Sequence, residues 1–163
     1  MSRKNVIELI IIIIGIVMSA FFSSSETAIT SISKLKVRQL EKNKVKNASL
    51  LKKLIADMQN LITTILVGNN IVNIVTTTIA TIFFTDVFGV KGAVISPIIL
   101  TIVVLLFGEI TPKMVAKAKS EDVALKFTKP IYFFYVILKP IVFLLGLFTK
   151  NLTKLFVGSE DSD

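Results

Sequence analysis

Three groups of polar side chains interrupt otherwise apolar stretches of this 163-residue chain. Ser19 and Ser23 are four residues apart, with Glu26 about one further turn along. Asn69 and Asn73 are likewise four apart and follow Gly68, whose missing side chain lets another helix come close. The third group is Gly108, Glu109, Ile110, Thr111, Pro112 and Lys113. Residues four apart share one helix face, so each pair presents its oxygens in one direction. An unpaired amide or carboxylate in hydrocarbon is costly, so such groups must meet one another, water or an ion. Pro112 brings no N–H, and in a continuing helix it leaves the carbonyl of Gly108 without a partner. A bare carbonyl beside a carboxylate is a ready cation ligand.

Together these groups offer hydroxyl, amide and carboxylate oxygens, a donor set that suits a hard cation: Mg2+, Ca2+ or Na+. The chain has no His and no Cys, which removes imidazole bases, thiolate chemistry and the usual ligands of zinc, copper and haem iron. A single carboxylate, Glu109, holds a divalent ion only moderately, as a carrier that releases its cargo requires. The competing reading is structural, because Ser and Thr in membrane helices commonly bond to backbone or hold helices together. That reading is preferred for Ser24, Ser25 and Thr76 to Thr78. For the Asn pair with a membrane-edge Glu the functional reading prevails, since such residues are expensive without a purpose.

The elements that carry these groups are membrane spans. The chain is 53% hydrophobic and only 18% charged, with a mean hydropathy of +0.77, which excludes a soluble enzyme. Leu9 to Ser25 has no charge, and its 17 residues reach roughly 25 Å as a helix, enough for a bilayer core. A secretory signal peptide is the rival reading, but Phe21 and Phe22 stand where small residues should mark cleavage. Met58 to Thr85 and Gly92 to Gly108 are also uncharged. The expected spans are about 6–28, 59–84 and 92–110. Ile131 to Thr149 is apolar too, yet Lys139 and Pro140 sit in its middle. A midplane lysine costs about 2.5 to 3.5 kcal/mol, so two short interfacial helices are expected there rather than a crossing.

The net charge is +8, which beside apolar spans points to topology signals and anionic lipid headgroups rather than nucleic acid. Eight basic residues lie between the first two spans: Lys34, Lys36, Arg38, Lys42, Lys44, Lys46, Lys52 and Lys53. That loop should be cytoplasmic, which puts the N-terminus outside and, with three crossings, the C-terminus inside. Among its lysines Leu35, Leu40, Leu51, Leu54, Ile55 and Met58 recur at helical spacing, which suits amphipathic helices on the inner leaflet. A plain solvated positive loop explains the charges equally well. The expected architecture is therefore an all-α, multi-pass membrane protein of three transmembrane helices with interfacial helices at about 34–57 and 114–156. Residues 158–163 read as the start of an acidic linker.

Ser19-Ala20-Phe21-Phe22-Ser23-Ser24-Ser25-Glu26-Thr27-Ala28, Val67-Gly68-Asn69-Asn70-Ile71-Val72-Asn73 and Gly108-Glu109-Ile110-Thr111-Pro112-Lys113 resemble, in this order, the transmembrane domain of the CNNM/CorC family of magnesium transporters. The resemblance covers essentially the whole chain and takes 1–157 as one domain. It implies a homodimer of three-span protomers in the cell membrane, with a cytosolic belt of juxtamembrane helices. It also implies Mg2+ export in exchange for Na+ through a dehydrated-ion site, and a C-terminus leading to nucleotide-binding CBS domains that this chain does not include. Carried over by motif, Ser19, Ser23, Asn69, Asn73 and Glu109 would be ligands, with the backbones of Gly68 and Gly108 nearby and Asn70 a ligand or a support behind one. Two other functions stand beside transport: a Mg2+-sensing membrane anchor that signals without moving ions, and a lytic protein, which the separated spans disfavour.

Overall fold

A computed structural model describes residues 2–157 as a bundle of helices, with no strand among the described residues. The order is α1 (Arg3–Ser31), α2 (Lys34–Lys42), α3 (Ala48–Ala56), α4 (Met58–Phe88), α5 (Val90–Val103), a π-helical stretch (Val104–Ile110), α6 (Thr111–Ala118) and α7 (Ser120–Val157). The acidic linker expected at 158–163 lies outside the described residues.

Four helical stretches are long and apolar enough to cross a membrane: Arg3–Ser31, Met58–Phe88, Val90–Ala118 and Ser120–Lys150. Their outer surfaces are apolar as well, for example Ile10, Ile13, Ile14 and Val17 on α1 and Val94, Ile98 and Ile102 on α5. Such surfaces need hydrocarbon around them, and the chain is a multi-pass membrane protein.

The fourth stretch corrects the sequence reading. In place of two short interfacial helices there is one helix, α7, that runs through both Pro130 and Pro140. Four candidate spans replace the expected three, and the argument for a cytoplasmic C-terminus, which needed segment four not to cross, falls with it. Packing offsets the backbone bonds that the prolines remove: Thr128, Ile131, Leu138 and Val142 form a buried stripe along α7. Lys139 is exposed, so the cation does not enter the core.

The basic loop folds into α2 and α3. Val37, Leu40, Leu51, Leu54 and Ile55 are buried, so each helix turns an apolar face into the bundle, whereas Leu35 is 77% exposed. Ser33 caps α2 by accepting from the Lys36 N–H. The turn between the two helices uses Lys44 and Asn47 at positive φ, and Asn47 Nδ2 donates to the Leu125 carbonyl at 3.0 Å. This bond and a Lys36–Glu121 ion pair at 3.1 Å tie the pair to α7. Their apolar faces merge with Phe22, Ile29, Leu61, Ile65 and Ile131 into the larger of two cores.

The helices α4 and α5 meet at a single residue, Gly89, at φ +67°. Only glycine adopts that conformation readily, and the gap left between the expected spans 59–84 and 92–110 shrinks to this one hinge. The reversal brings α5 so close to α4 that a methyl group on Gly92 would collide with the Phe84 carbonyl oxygen. Meanwhile α1 runs antiparallel to α4, with Lys4 bonded to Asp86, Gly15 against Thr76 and Phe22 against Gly68.

Candidate metal centre

The three polar groups come from three different helices and converge halfway along the bundle. On α1, Ser19 and Ser23 belong to a buried stripe with Glu8, Ile12, Gly15 and Phe22. Spacings of three and four keep this stripe on one face. The Ser19 hydroxyl donates to Asn69 Oδ1 on α4 at 3.1 Å. Across from it stands Gly108, where a methyl group would lie 3.0 Å from Ser19 Oγ. Ser19 therefore touches both other helices at once.

Gly108 and Glu109 sit in the π-helical stretch, where the Thr111 N–H bonds the Leu106 carbonyl five residues back. The cause lies just beyond, at the start of α6: Pro112 cannot supply the N–H that an α-helix would send to Gly108. A widened turn absorbs the misfit before α6 begins. The proline's effect expected from sequence is present, and its form is a π-helical widening.

Asn73 and Glu109 line one groove of about 220 Å³, together with Thr77, Pro97, Leu100, Thr101, Val104 and Leu105. Asn73 Oδ1 and Ser23 Oγ are buried and have no hydrogen-bond partner among the described residues. Such atoms in a closed apolar setting cost free energy unless a ligand meets them. Glu109 is half-buried, and no ion pair to it occurs among the described residues. Glu26, one turn beyond Ser23, is held instead by Lys113 at 3.3 Å. Ser24 donates to the Pro112 carbonyl at 3.4 Å, so α1 and α6 are joined just below the groove.

The remaining candidates fall elsewhere. Gly68 is a packing position, since a methyl group there would lie 2.6 Å from the Phe22 ring. Asn70 is exposed and does not share the face of Asn69 and Asn73. The hydroxyls assigned a structural part behave so: Ser25 bonds the Phe21 carbonyl, and Thr76, Thr77 and Thr78 bond the carbonyls four residues back. Thr77 also borders the groove, as does Thr101, which sequence reasoning did not single out.

A second polar junction was missed altogether. Asp57, just before α4, accepts from the Tyr135 hydroxyl of α7 at 2.5 Å and from Asn60. The tyrosine's hydrogen bond, followed by that of Asn60, holds the Asp57 carboxyl below its ordinary value. Nothing in sequence spacing joins residues 78 positions apart.

The transmembrane N-terminal domain model of cyclin M proteins matches residues 10–163. A UPF0053 protein of Haemophilus influenzae is 38% identical over 90% of the chain and 35% of its own length. The UPF0053 inner membrane protein YfjD of Escherichia coli is 34% identical over 84% of the chain and 32% of its own. A chloroplastic DUF21 domain-containing protein of Arabidopsis thaliana is 37% identical over 76% of the chain and 19% of its own. The chain thus spans about a third or less of the length of these relatives, and their names describe membrane or domain families rather than enzymes. With its helical bundle, its apolar exterior and the three motifs meeting inside, the chain belongs to the family of the cyclin M (CNNM) transmembrane domain.

Proposed function

We propose that this domain carries Mg2+ across the membrane through a site between α1, α4 and the π-helical turn. Ser19, Ser23, Asn69, Asn73 and Glu109 supply oxygens to an ion that has shed water. The observation that carries this reading is that two of those residues, Ser23 and Asn73, keep a buried oxygen without a partner among the described residues. Hydroxyl, amide and one carboxylate are the ligands a hard cation takes, and the groove beside Glu109 gives it room. Export of Mg2+ against Na+ entry is the direction we propose. The N-terminus is outside and α2 and α3 lie on the cytosolic face of the cell membrane, where their lysines meet anionic headgroups. A homodimer, with CBS domains following in a longer protein, completes the proposal.

The ion pair between Glu26 and Lys113 and the Ser24 bond to Pro112 tie α1 to α6 below the groove. Loosening these contacts at the π-helical turn would open the site to one side, as broken helices do in secondary transporters. Proteoliposomes loaded with a Mg2+ dye should respond to a Mg2+ gradient, and Asn73→Ala or Glu109→Ala should abolish the response. Flux at the normal rate in the double variant refutes the transport site. Saturable Mg2+ binding without any flux supports the alternative of a sensing anchor.

A further inference from the structure

The polar junction between α4 and α7 borders a cleft that the proposed ion site does not use. Its volume is about 150 Å³; Asp57 and Asn60 line one side, and Tyr135, Lys139, Val142 and Phe143 of α7 line the other. Two opposite charges therefore face one space. Tyr135 and Asn60, and from further off the Lys139 ammonium, hold the Asp57 carboxyl below its ordinary value. Yet Lys139 forms no ion pair among the described residues, so the cleft keeps ammonium and carboxylate apart.

Both charges have bonding capacity left. Asp57 Oδ2 accepts from Tyr135 at 2.5 Å and from Asn60 at 3.0 Å, while Oδ1 accepts only from Asn60, at 3.1 Å. A carboxylate accepts about four hydrogen bonds, so Oδ1 can take a further donor. The position of the cleft says what medium fills it. Asp57 stands immediately before the candidate span Met58–Phe88, and the end of a span is where lipid headgroups lie. Lys139 belongs to an apolar stretch of α7, is exposed, and has a long stem that carries its ammonium toward that level. Beyond it, Phe143 is 65% exposed and offers an apolar surface to an acyl chain.

We propose that this cleft is a binding site for a zwitterionic aminophospholipid, with the lipid ammonium on Asp57, its phosphate on Lys139 and an acyl chain along Val142 and Phe143. Charge complementarity selects the headgroup. One carboxylate and one ammonium make the lining neutral, so a neutral ligand with separated charges satisfies both ends. An anionic headgroup such as phosphatidylglycerol would meet Lys139 at the expense of repulsion by Asp57. The ammonium of phosphatidylethanolamine donates charge-assisted N–H bonds to Asp57, whereas the quaternary ammonium of phosphatidylcholine has no N–H to give. The site shares no residue with the groove beside Glu109, and the proposal requires only that the chain lie in a bilayer.

The test is lipid titration of the full chain, detergent-solubilised, by native mass spectrometry. The probes are phosphatidylethanolamine, phosphatidylcholine and phosphatidylglycerol with the same acyl chains. The wild type should bind phosphatidylethanolamine at least about fivefold tighter than phosphatidylcholine. Lys139→Gln should weaken phosphatidylethanolamine about tenfold, and Asp57→Asn should erase the preference over phosphatidylcholine. Phosphatidylglycerol held by other basic residues should respond to neither variant. Equal affinity of the wild type for phosphatidylethanolamine and phosphatidylcholine overturns the proposal. So does wild-type affinity for phosphatidylethanolamine in Lys139→Gln, or an equal loss of phosphatidylglycerol there, which would make the cleft a plain anion site. Persistence of the preference in Asp57→Asn overturns it too. Should Asp57→Asn fail to purify as a monodisperse protein, the exposed Lys139→Gln decides by itself.

Discussion

Replacing Gly108 with alanine separates fit at the site from stability of the bundle. The added methyl group would lie 3.0 Å from Ser19 Oγ, 3.3 Å from Ser19 Cβ and 3.4 Å from Val104 Cγ1. Relief needs a shift of a few tenths of an ångström, and Ser19 is fully buried and committed to Asn69 at 3.1 Å. It cannot turn away without breaking that bond. Overpacking of this kind costs about 1 to 3 kcal/mol, while Gly→Ala within a helix returns about 0.5 to 1 kcal/mol. Thermal stability without Mg2+ should therefore fall by no more than about 2.5 kcal/mol. The ion site has less tolerance, because Mg2+ demands oxygens within a narrow range of about 2.0 to 2.1 Å. Moving Ser19 off its place should weaken Mg2+ at least about tenfold, or 1.4 kcal/mol. Calorimetric titration of Mg2+ into detergent-solubilised protein measures the affinity, and a thermal melt measures the rest. Gly146→Ala is the control: nothing among the described residues lies within 4 Å of a methyl group there, so affinity should not move. Mg2+ affinity within twofold of wild type in Gly108→Ala would refute the reasoning.

Gly68→Ala pushes a methyl group to 2.6 Å from the ring of Phe22, which is itself fixed edge-to-face against Phe21 and Phe134. It should cost about 1 to 3 kcal/mol by denaturation; an unchanged melting temperature would show that the ring has room. Tyr135→Phe removes the bond that holds Asp57 low. A depressed carboxyl stabilises the fold above its unfolded value of 3.8 and loses that contribution as pH falls through its lower folded value. Melting curves of wild type and Tyr135→Phe should therefore differ at pH 6, begin to approach one another as pH falls past 3.8 and converge only below the lowered folded value; a gap that persists below that point would contradict this. The partly exposed Glu26–Lys113 pair should show a coupling of no more than about 1 kcal/mol in a double-mutant cycle of stability, so a large coupling would mean that the pair carries the fold.

Much of this arrangement is legible in the sequence because membrane helices declare themselves by uncharged length, and because oxygen-bearing residues four apart must share a face. Ser19, Asn69 and Gly108 meet as their motifs suggest, and Asn73 and Glu109 border one groove. The fate of Ile131 to Thr149 was not legible. Lys139 and Pro140 argue against a continuous helix locally, whereas the buried stripe through Ile131, Leu138 and Val142 belongs to tertiary packing. The same holds for the π-helical turn, where Pro112 signals a misfit but not how the backbone absorbs it. Asp57 with Tyr135 depends on register between distant helices, which residue types alone do not encode. Glu8, just before the uncharged run of the first span, is buried by the fold, which its residue type does not announce.

The central claim is that oxygens from separate helices hold an ion stripped of water. A structure of the protein in lipid with Mg2+ bound, at a resolution that shows coordination distances, tests it most directly. The account predicts an ion between α1, α4 and the π-helical turn, with Ser23 Oγ and Asn73 Oδ1 among oxygens at about 2.0 to 2.1 Å. An ion that keeps its full water shell outside the groove, with Ser23 and Asn73 turned to their own backbone, would contradict it.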